Sequence, residues 1–397
     1  MKLLSVEDAR ARMLGRAVAT GDEVVALCGA HGRVLREDIV AHRPQPPFPA
    51  SAMDGWAVRA ADTPGVLKII GESAAGHAFE GEVGPGEATR IFTGAPVPAG
   101  ADAIVIQEDA TRKGEAVTVP QVAAGHHVRP AGVDFKAGDR LLKAGARLDP
   151  WRLALAASSG AAELKVARKP RVAILSTGEE VVAPGGSPGP FQIFNSGTTA
   201  LSELIRRWGG ELIDLPNIGD NEDDIEAAAR ACGGDVIVTL GGASVGDHDL
   251  VKPALSRLGM EMIVESIAVR PGKPTWFAVL ADGRRIVGLP GNPASAMVCA
   301  ELFLRPFLAQ MQGADPAVNV IKAKAALPFE ANGNREHWMR ARISPAPDGS
   351  MQATPFRDQD SSLVSVFEAS NALLRRMVGA PAAEIGDVVD VLPLERL

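Results

Sequence analysis

Between residues 171 and 293 the chain repeats a strand-loop-helix pattern in which each strand runs into a loop suited to an anion. Arg171 to Ser176 opens onto Thr177-Gly178-Glu179-Glu180, Asp235 to Leu240 onto GGASVGDHD (241–249), and Arg285 to Leu289 onto Pro290-Gly291-Asn292-Pro293. Strands alternating with helices predict a parallel sheet covered on both faces. In such sheets ligands bind in the crevice beyond the carboxyl ends of the strands, so the three loops are expected to share one pocket.

A chain of 397 residues is too long for one ordinary core, and two to four domains are expected at roughly 100 to 200 residues each. The pattern divides it into a discontinuous helical domain (1–45 and 140–168), an inserted β module (46–139), the α/β domain (169–314) and a C-terminal β barrel (315–397). The first piece carries a helix over 5–18 with a Ser5/Asp8 capping box, and a second over Glu23 to Gly32. Asp149 and Pro150 start another, toward Gly160. Helices flanking the module are expected to pack together. The module reads as short strands at Val66 to Ile70, Ala88 to Ile91, Ala103 to Gln107 and Ala116 to Val119.

In the α/β region Asn195 caps a helix whose Leu201, Leu204, Ile205 and Trp208 form one apolar stripe, and Asn221 with Asp224 caps the next. A strand is expected over Glu211 to Leu215 and another over Glu261 to Val269, with helices near 250–258 and 293–310. Five strands follow, near 319–326, 337–344, 351–356, 372–377 and 387–392, spaced as in a small barrel or sandwich.

A net charge of −7 gives no general attraction to nucleic acid or an anionic membrane. No stretch approaches the ~20 apolar residues of a membrane span, and a soluble cytoplasmic protein is expected. Cys28, Cys232 and Cys299 are too far apart for a CxxC motif and read as ordinary buried thiols.

The loop chemistry divides into donors and acids. Gly241, Gly242, Ser244, Gly246, Gly291 and Asn292 let backbone N–H groups approach an oxyanion at a helix start. There is no GxxxxGK[ST], and no GxGxxG between a strand and a helix, so neither a P-loop nor a dinucleotide site is supported. Glu179, Glu180, Asp220, Asp247 and Asp249 would repel a polyanion in the same crevice unless a hard divalent cation, Mg²⁺, lies between them. Any one of them taken alone reads more readily as a solvated turn acid, but the set together does so less. Arg270-Pro271-Gly272-Lys273-Pro274 reads as a stiff oxyanion clamp or a plain turn, and Asp54-Gly55 and Thr93-Gly94 as turns able to present a carboxylate and a hydroxyl.

Together these motifs resemble the molybdopterin molybdenumtransferases of the MoeA type, which also form the E domain of gephyrin. The resemblance rests on PPFPASAMDGWAV (46–58), IFTGAPVPAGADAIV (91–105), VAILSTGEEVV (172–182), GGASVGDHDLVK (241–252), RPGKPTWF (270–277), GLPGNPASA (288–296) and DQDSSLVS (358–365). It implies a homodimer that inserts molybdate, its substrate oxyanion, into adenylylated molybdopterin with Mg²⁺-dependent release of AMP. It also implies dealings with the molybdopterin adenylyltransferase upstream and with cofactor-handling proteins downstream.

By the resemblance, Glu180, Asp220 and Asp249 are the acidic, metal-holding residues, and Asp54 and Thr93 come from the second subunit. Thr177, Gly178, Gly241, Gly242, Ser244, Gly246, Pro290, Gly291, Asn292 and Pro293 line the pterin pocket. Arg270, Lys273 and Pro274, joined by Arg335 and Ser361, hold molybdate. The chain departs from the family pattern at Pro49-Ala50 before SAMDG, at Trp56 for a Tyr, and at Ser266 and Arg270 for two Lys. The alternatives are an adenylyltransferase on the same core and a binding scaffold without turnover.

Overall fold

The computed structural model of the chain describes residues 3–241 and 250–395. Its centre is a six-stranded sheet ordered Glu211–Ile213, Arg171–Ser176, Val236–Leu240, Arg285–Leu289, Trp276–Val279 and Glu261–Val264. The first four strands are parallel. The last two run antiparallel to their neighbours, so the sheet is mixed and not wholly parallel as expected. The cause is local: Trp276–Val279 returns to Arg285–Leu289 through a tight Ala281-Asp282-Gly283-Arg284 connection, with Gly283 at φ 86°, too short for a helical crossover.

The helix Ser196–Arg207 is capped by Asn195, whose side chain accepts the Thr198 N–H. Its Leu201 and Ile205 are buried in the main core with Trp208, as the stripe predicts. Asn221 likewise caps Glu222–Ala231 by accepting from Asp223 and Asp224. The expected 293–310 helix is continuous but changes pitch: α-helix at Pro293–Cys299, a π-helical segment at Ala300–Leu304, then α-helix at Arg305–Gln312.

Two corrections fall in the first part of the chain. Helix Val6–Leu14 forms, with Ser5 accepting the Asp8 N–H, but its Val6, Ala9 and Met13 pack into the α/β core. Residues Glu23 to Gly32 are not a helix: Asp22–Ala26 is a strand and Leu27–Gly29 a short 3₁₀ turn. The strand pairs antiparallel with Glu163–Ala167, and the β-branched Val24 and Val25 suit that pairing better than a helix. Residues on either side of the β module therefore join through strands, around a core of Leu35, Leu148, Ala156 and Val166, with helix Pro150–Ser158 supplying Ala156.

The β module is a six-stranded sheet that contains the four expected strands together with Gly55–Val58 and Thr111–Lys113. The C-terminal strands Ile321–Ala325, Glu336–Pro345, Met351–Pro355, Ala372–Arg376 and Val388–Pro393 close on themselves, since Glu336–Pro345 pairs with both Met351–Pro355 and Ala372–Arg376. The expected strand over 261–269 breaks. Its last residue joins Arg270 in a short strand that pairs with Glu336 and His337 at the barrel edge. Cys232 and Cys299 are buried as expected, but Cys28 is exposed in its 3₁₀ turn.

Gly288 faces Trp276 across the sheet, and a Cβ there would stand 2.0 Å from the ring of this fully buried tryptophan. Replacement Gly288→Ala should lower unfolding stability by about 1–3 kcal/mol, the usual cost of overpacking. Denaturant titration that finds wild-type stability would mean the ring has room to move.

Candidate functional site

Hydrogen-bonding register decides where the site lies. Ser176, Leu240 and Leu289 stand side by side at the ends of three adjacent strands, so the loops beginning at Thr177, Gly241 and Pro290 leave the sheet at one level. They border a cavity of about 1160 Å³. Of the residues expected from the sequence, Thr177, Glu180, Gly241, Lys273, Pro274, Pro290, Gly291, Asn292 and Pro293 line it. Gly242, Ser244, Gly246, Asp247 and Asp249 lie outside the described residues.

The glycines are there for close approach. Gly241 has φ 97°, and a Cβ on Gly291 would stand 3.4 Å from the Gly241 Cα, so the two loops pack backbone against backbone. Gly178, at φ 124°, lies beneath the Glu180 carboxylate, where a Cβ would come within 2.6 Å of an Oε. Glycine at 178 thus lets Glu180 fold back over its own loop. Asp220 is one loop away: its Oδ2 lies 3.4 Å from the Glu179 N, and Thr177 bridges to Ile218. Asn217 fastens the turn by donating to the Gly178 oxygen at 3.0 Å. Gly178 and Asp220 back the cavity wall without lining it.

Lys273 and Pro274 reach the cavity, but Arg270 and Arg335 do not line it. Arg270 is laddered to His337, and its charge, with those of Arg335, Arg340 and Arg376, acts on that imidazole. Burial, then these four guanidinium groups, push the His337 pKa from 6.5 down to about 4. Ser361 joins the cavity rim through Asn292, whose Nδ2 donates to its Oγ at 2.9 Å. Asp54 and Thr93 lie outside the cavity of their own chain and pair with each other: Asp54 Oδ1 accepts the Thr93 N–H at 2.7 Å and its hydroxyl at 2.8 Å. These two bonds from Thr93, with the Arg90 charge, hold the Asp54 carboxyl below its ordinary range.

Several cavity residues escape sequence reasoning. Lys252 lines it with its Nζ 5.7 Å from the Trp276 ring centroid, and Ser176, Asn195 and Glu265 line it too, beside Ser266, which stands in the sequence for a family Lys. Asn195 reads as a helix cap, and only the structure shows that its free Nδ2 also donates to Ser176 Oγ at 3.1 Å. Arg340 is buried and donates to the Asp360 and Leu363 carbonyls, both at 2.9 Å, so it fastens the loop that carries Ser361. Nothing in the sequence distinguishes it from a surface arginine. Cys299 packs beneath the Gly272 turn, and burial raises its pKa to about 12, which leaves a neutral thiol.

An α/β core whose strand-end loops bound one large cavity, with Lys252, Lys273, Glu180 and Glu265 among its lining, has the build of a small-molecule binding site. The chain matches the MoeA N-terminal region (domain I and II) over residues 4–160, the probable molybdopterin binding domain over 173–310, and the MoeA C-terminal region (domain IV) over 322–394. It is 33% identical to the molybdopterin molybdenumtransferase of Haemophilus influenzae, with all of both chains covered. It is 39% identical to molybdopterin molybdenumtransferase 2 of Mycobacterium tuberculosis over 73% of this chain and 75% of that protein. Among solved structures, the molybdopterin biosynthesis MoeA protein of Pyrococcus horikosii superposes with a TM-score of 0.81 at 31% identity, with both chains fully covered. The chain belongs to the MoeA family.

The His337 shift has a sign for stability. A histidine held neutral in the fold and free to protonate when unfolded contributes stability that is fully present above pH 6.5 and lost as pH falls toward 4. The wild type should lose roughly 2 kcal/mol from this group alone between pH 7.5 and 5, by linkage. Unfolding of His337→Gln across that range should be flatter by that amount; equal slopes would refute the assignment.

Proposed function

We propose that the chain is a molybdopterin molybdenumtransferase, which inserts molybdate into adenylylated molybdopterin and releases AMP. The observation that carries this reading is the single cavity in which Thr177, Glu180, Gly241, Asn292 and Lys273 meet. Loop backbone at Gly241 and Gly291, with Thr177 and the helix starting at Pro293, suits the phosphates and pterin. Lys273 and Pro274 line the cavity, and in this reading Arg270, Arg335 and Ser361, which stand back from its lining, are the other members of the oxyanion clamp. The three cysteines are free, which suits a reducing cytoplasm.

Glu180 and Asp220 offer hard oxygen donors on neighbouring loops, the ligand type and number that Mg²⁺ takes from protein. Among the described residues no cluster of three acids, histidines or cysteines exists, and Asp249 is the third donor in this reading. When bound, Mg²⁺ supplies neutralising charge at the phosphoanhydride. The chain's own residues hold the two substrates at fixed separation, which is where most of the acceleration would arise. Glu180 and Asp220 orient water toward the anhydride, and the clamp presents molybdate to the dithiolene sulfurs. No nucleophilic side chain is required, in keeping with the neutral, buried Cys299.

Asp54 and Thr93 do not line the cavity of their own chain, and in this reading they complete the site of the second copy in a homodimer. The domain division into 1–45 with 140–168, 46–139, 169–314 and 315–397 goes with it, the strand pairing of Asp22–Ala26 with Glu163–Ala167 making 46–139 an insertion. The upstream adenylyltransferase would supply the substrate.

AMP release from adenylylated molybdopterin, followed with Mg²⁺ present and with and without molybdate, tests the reading. Molybdate should stimulate release, and Glu180→Gln should cut it on the order of 10²-fold, as loss of substrate positioning does. Binding without any AMP would favour a scaffold, and ATP consumption with AMP transferred onto molybdopterin would favour an adenylyltransferase.

A further inference from the structure

Arg90 ends on the strand Glu87–Ile91 of the β module, three residues before Thr93. Its guanidinium lies between two rings, 5.3 Å from the Trp56 centroid and 4.8 Å from that of Phe92. Nη1 donates to the Gly55 carbonyl at 3.0 Å and Nη2 to Gln107 Oε1 at 2.7 Å. The Gln107 N–H in turn donates to the Asp54 carbonyl at 3.1 Å. The carbonyls of Asp54 and Gly55 are therefore both tied, one directly and one through Gln107, to the same cation.

Gly55 can only be glycine here, since a Cβ would stand 2.0 Å from the Val105 oxygen. With the backbone fixed on that side, the carboxylate of Asp54 has Oδ1 occupied by two bonds from Thr93, and both of these are to that one oxygen, so Oδ2 is the one left for a ligand. A guanidinium that merely solvated the module would not need two acceptors held at separate nitrogens, and that planar fork is a job for which lysine is no substitute. Among the described residues Arg90 has no carboxylate within ion-pair distance, so its charge is not spent on a salt bridge.

We propose that Arg90 is a positioning residue: it clamps the Asp54–Gly55 backbone and so aims the free Oδ2 of Asp54, acting on the reaction only through that carboxylate. The inference rests on the reading that Asp54 takes part in the reaction. Trp56, whose ring also stands 5.8 Å from the Arg112 guanidinium, packs beside the same cation.

A double-mutant cycle tests it, with single-turnover AMP release from adenylylated molybdopterin as the readout and Arg90→Met, Asp54→Asn and the double variant compared. Arg90→Met should slow the step roughly 10- to 100-fold, the scale of a small misplacement, with substrate affinity within about twofold. In the Asp54→Asn background the same change should cost nothing further, because residues that act through one another are not additive. A loss that multiplies in the double variant, or wild-type rates for Arg90→Met, overturns the role of Arg90. Wild-type rates for Asp54→Asn overturn instead the reading beneath it. Should Arg90→Met unfold, Arg90→Lys keeps the charge between the rings without the fork; a crystal structure of that variant with the Asp54 carboxylate unmoved would also refute the inference.

Discussion

The site depends first on backbone hydrogen bonding, before any side chain is considered. Parallel pairing of Arg171–Ser176 with Val236–Leu240, and of that strand with Arg285–Leu289, fixes Ser176, Leu240 and Leu289 abreast. Three loops then begin at one height above the sheet. Burial on both faces holds the register: Val172, Ile174, Val238 and Leu289 lie in the core on one side, Ala173, Leu175, Ile237 and Ile286 on the other. A slip of one residue would exchange these sets and scatter the loop starts.

From that alignment the loop chemistry follows with little further specification. Glycines at 178, 241 and 291 remove the side chains that would hold the loops apart. Thr177, Glu180 and Asn292 then meet across a space wide enough for a large ligand. The sheet supplies geometry, and the residues just beyond each strand supply polarity. The barrel adds charge: Arg270, Arg335, Arg340 and Arg376 concentrate around one uncharged imidazole, with Arg340 also tying the loop that carries Ser361.

Much of this was legible in the sequence because it was written locally. Strand-to-loop transitions at 176/177 and 289/290 and the caps at Asn195 and Asn221 are short-range signals, and the structure has them in place. What was illegible depended on distant partners. Glu23 to Gly32 reads as a helix until Glu163–Ala167 is there to pair with it. The strand over 261–269 breaks because its end finds a better partner at Glu336–His337 than in its own sheet. Lys252 ends the motif 241–252 without a role readable there, and Arg340 and Arg90 carry no motif; their positions come from a ring, a loop and a pair of carbonyls far away in the chain.

The short pairing of Val269–Arg270 with Glu336–His337 has a mechanical side. One continuous stretch contributes Arg270 to the barrel edge and, a few residues on, Lys273 to the cavity wall. Arg270 and Arg335 accordingly ride with the barrel as one charged unit, while Thr177, Gly241 and Asn292 ride with the central sheet. Only Pro271 and Gly272 separate Arg270 from Lys273, so barrel edge and cavity wall are joined by a backbone link too short to let either be placed independently of the other.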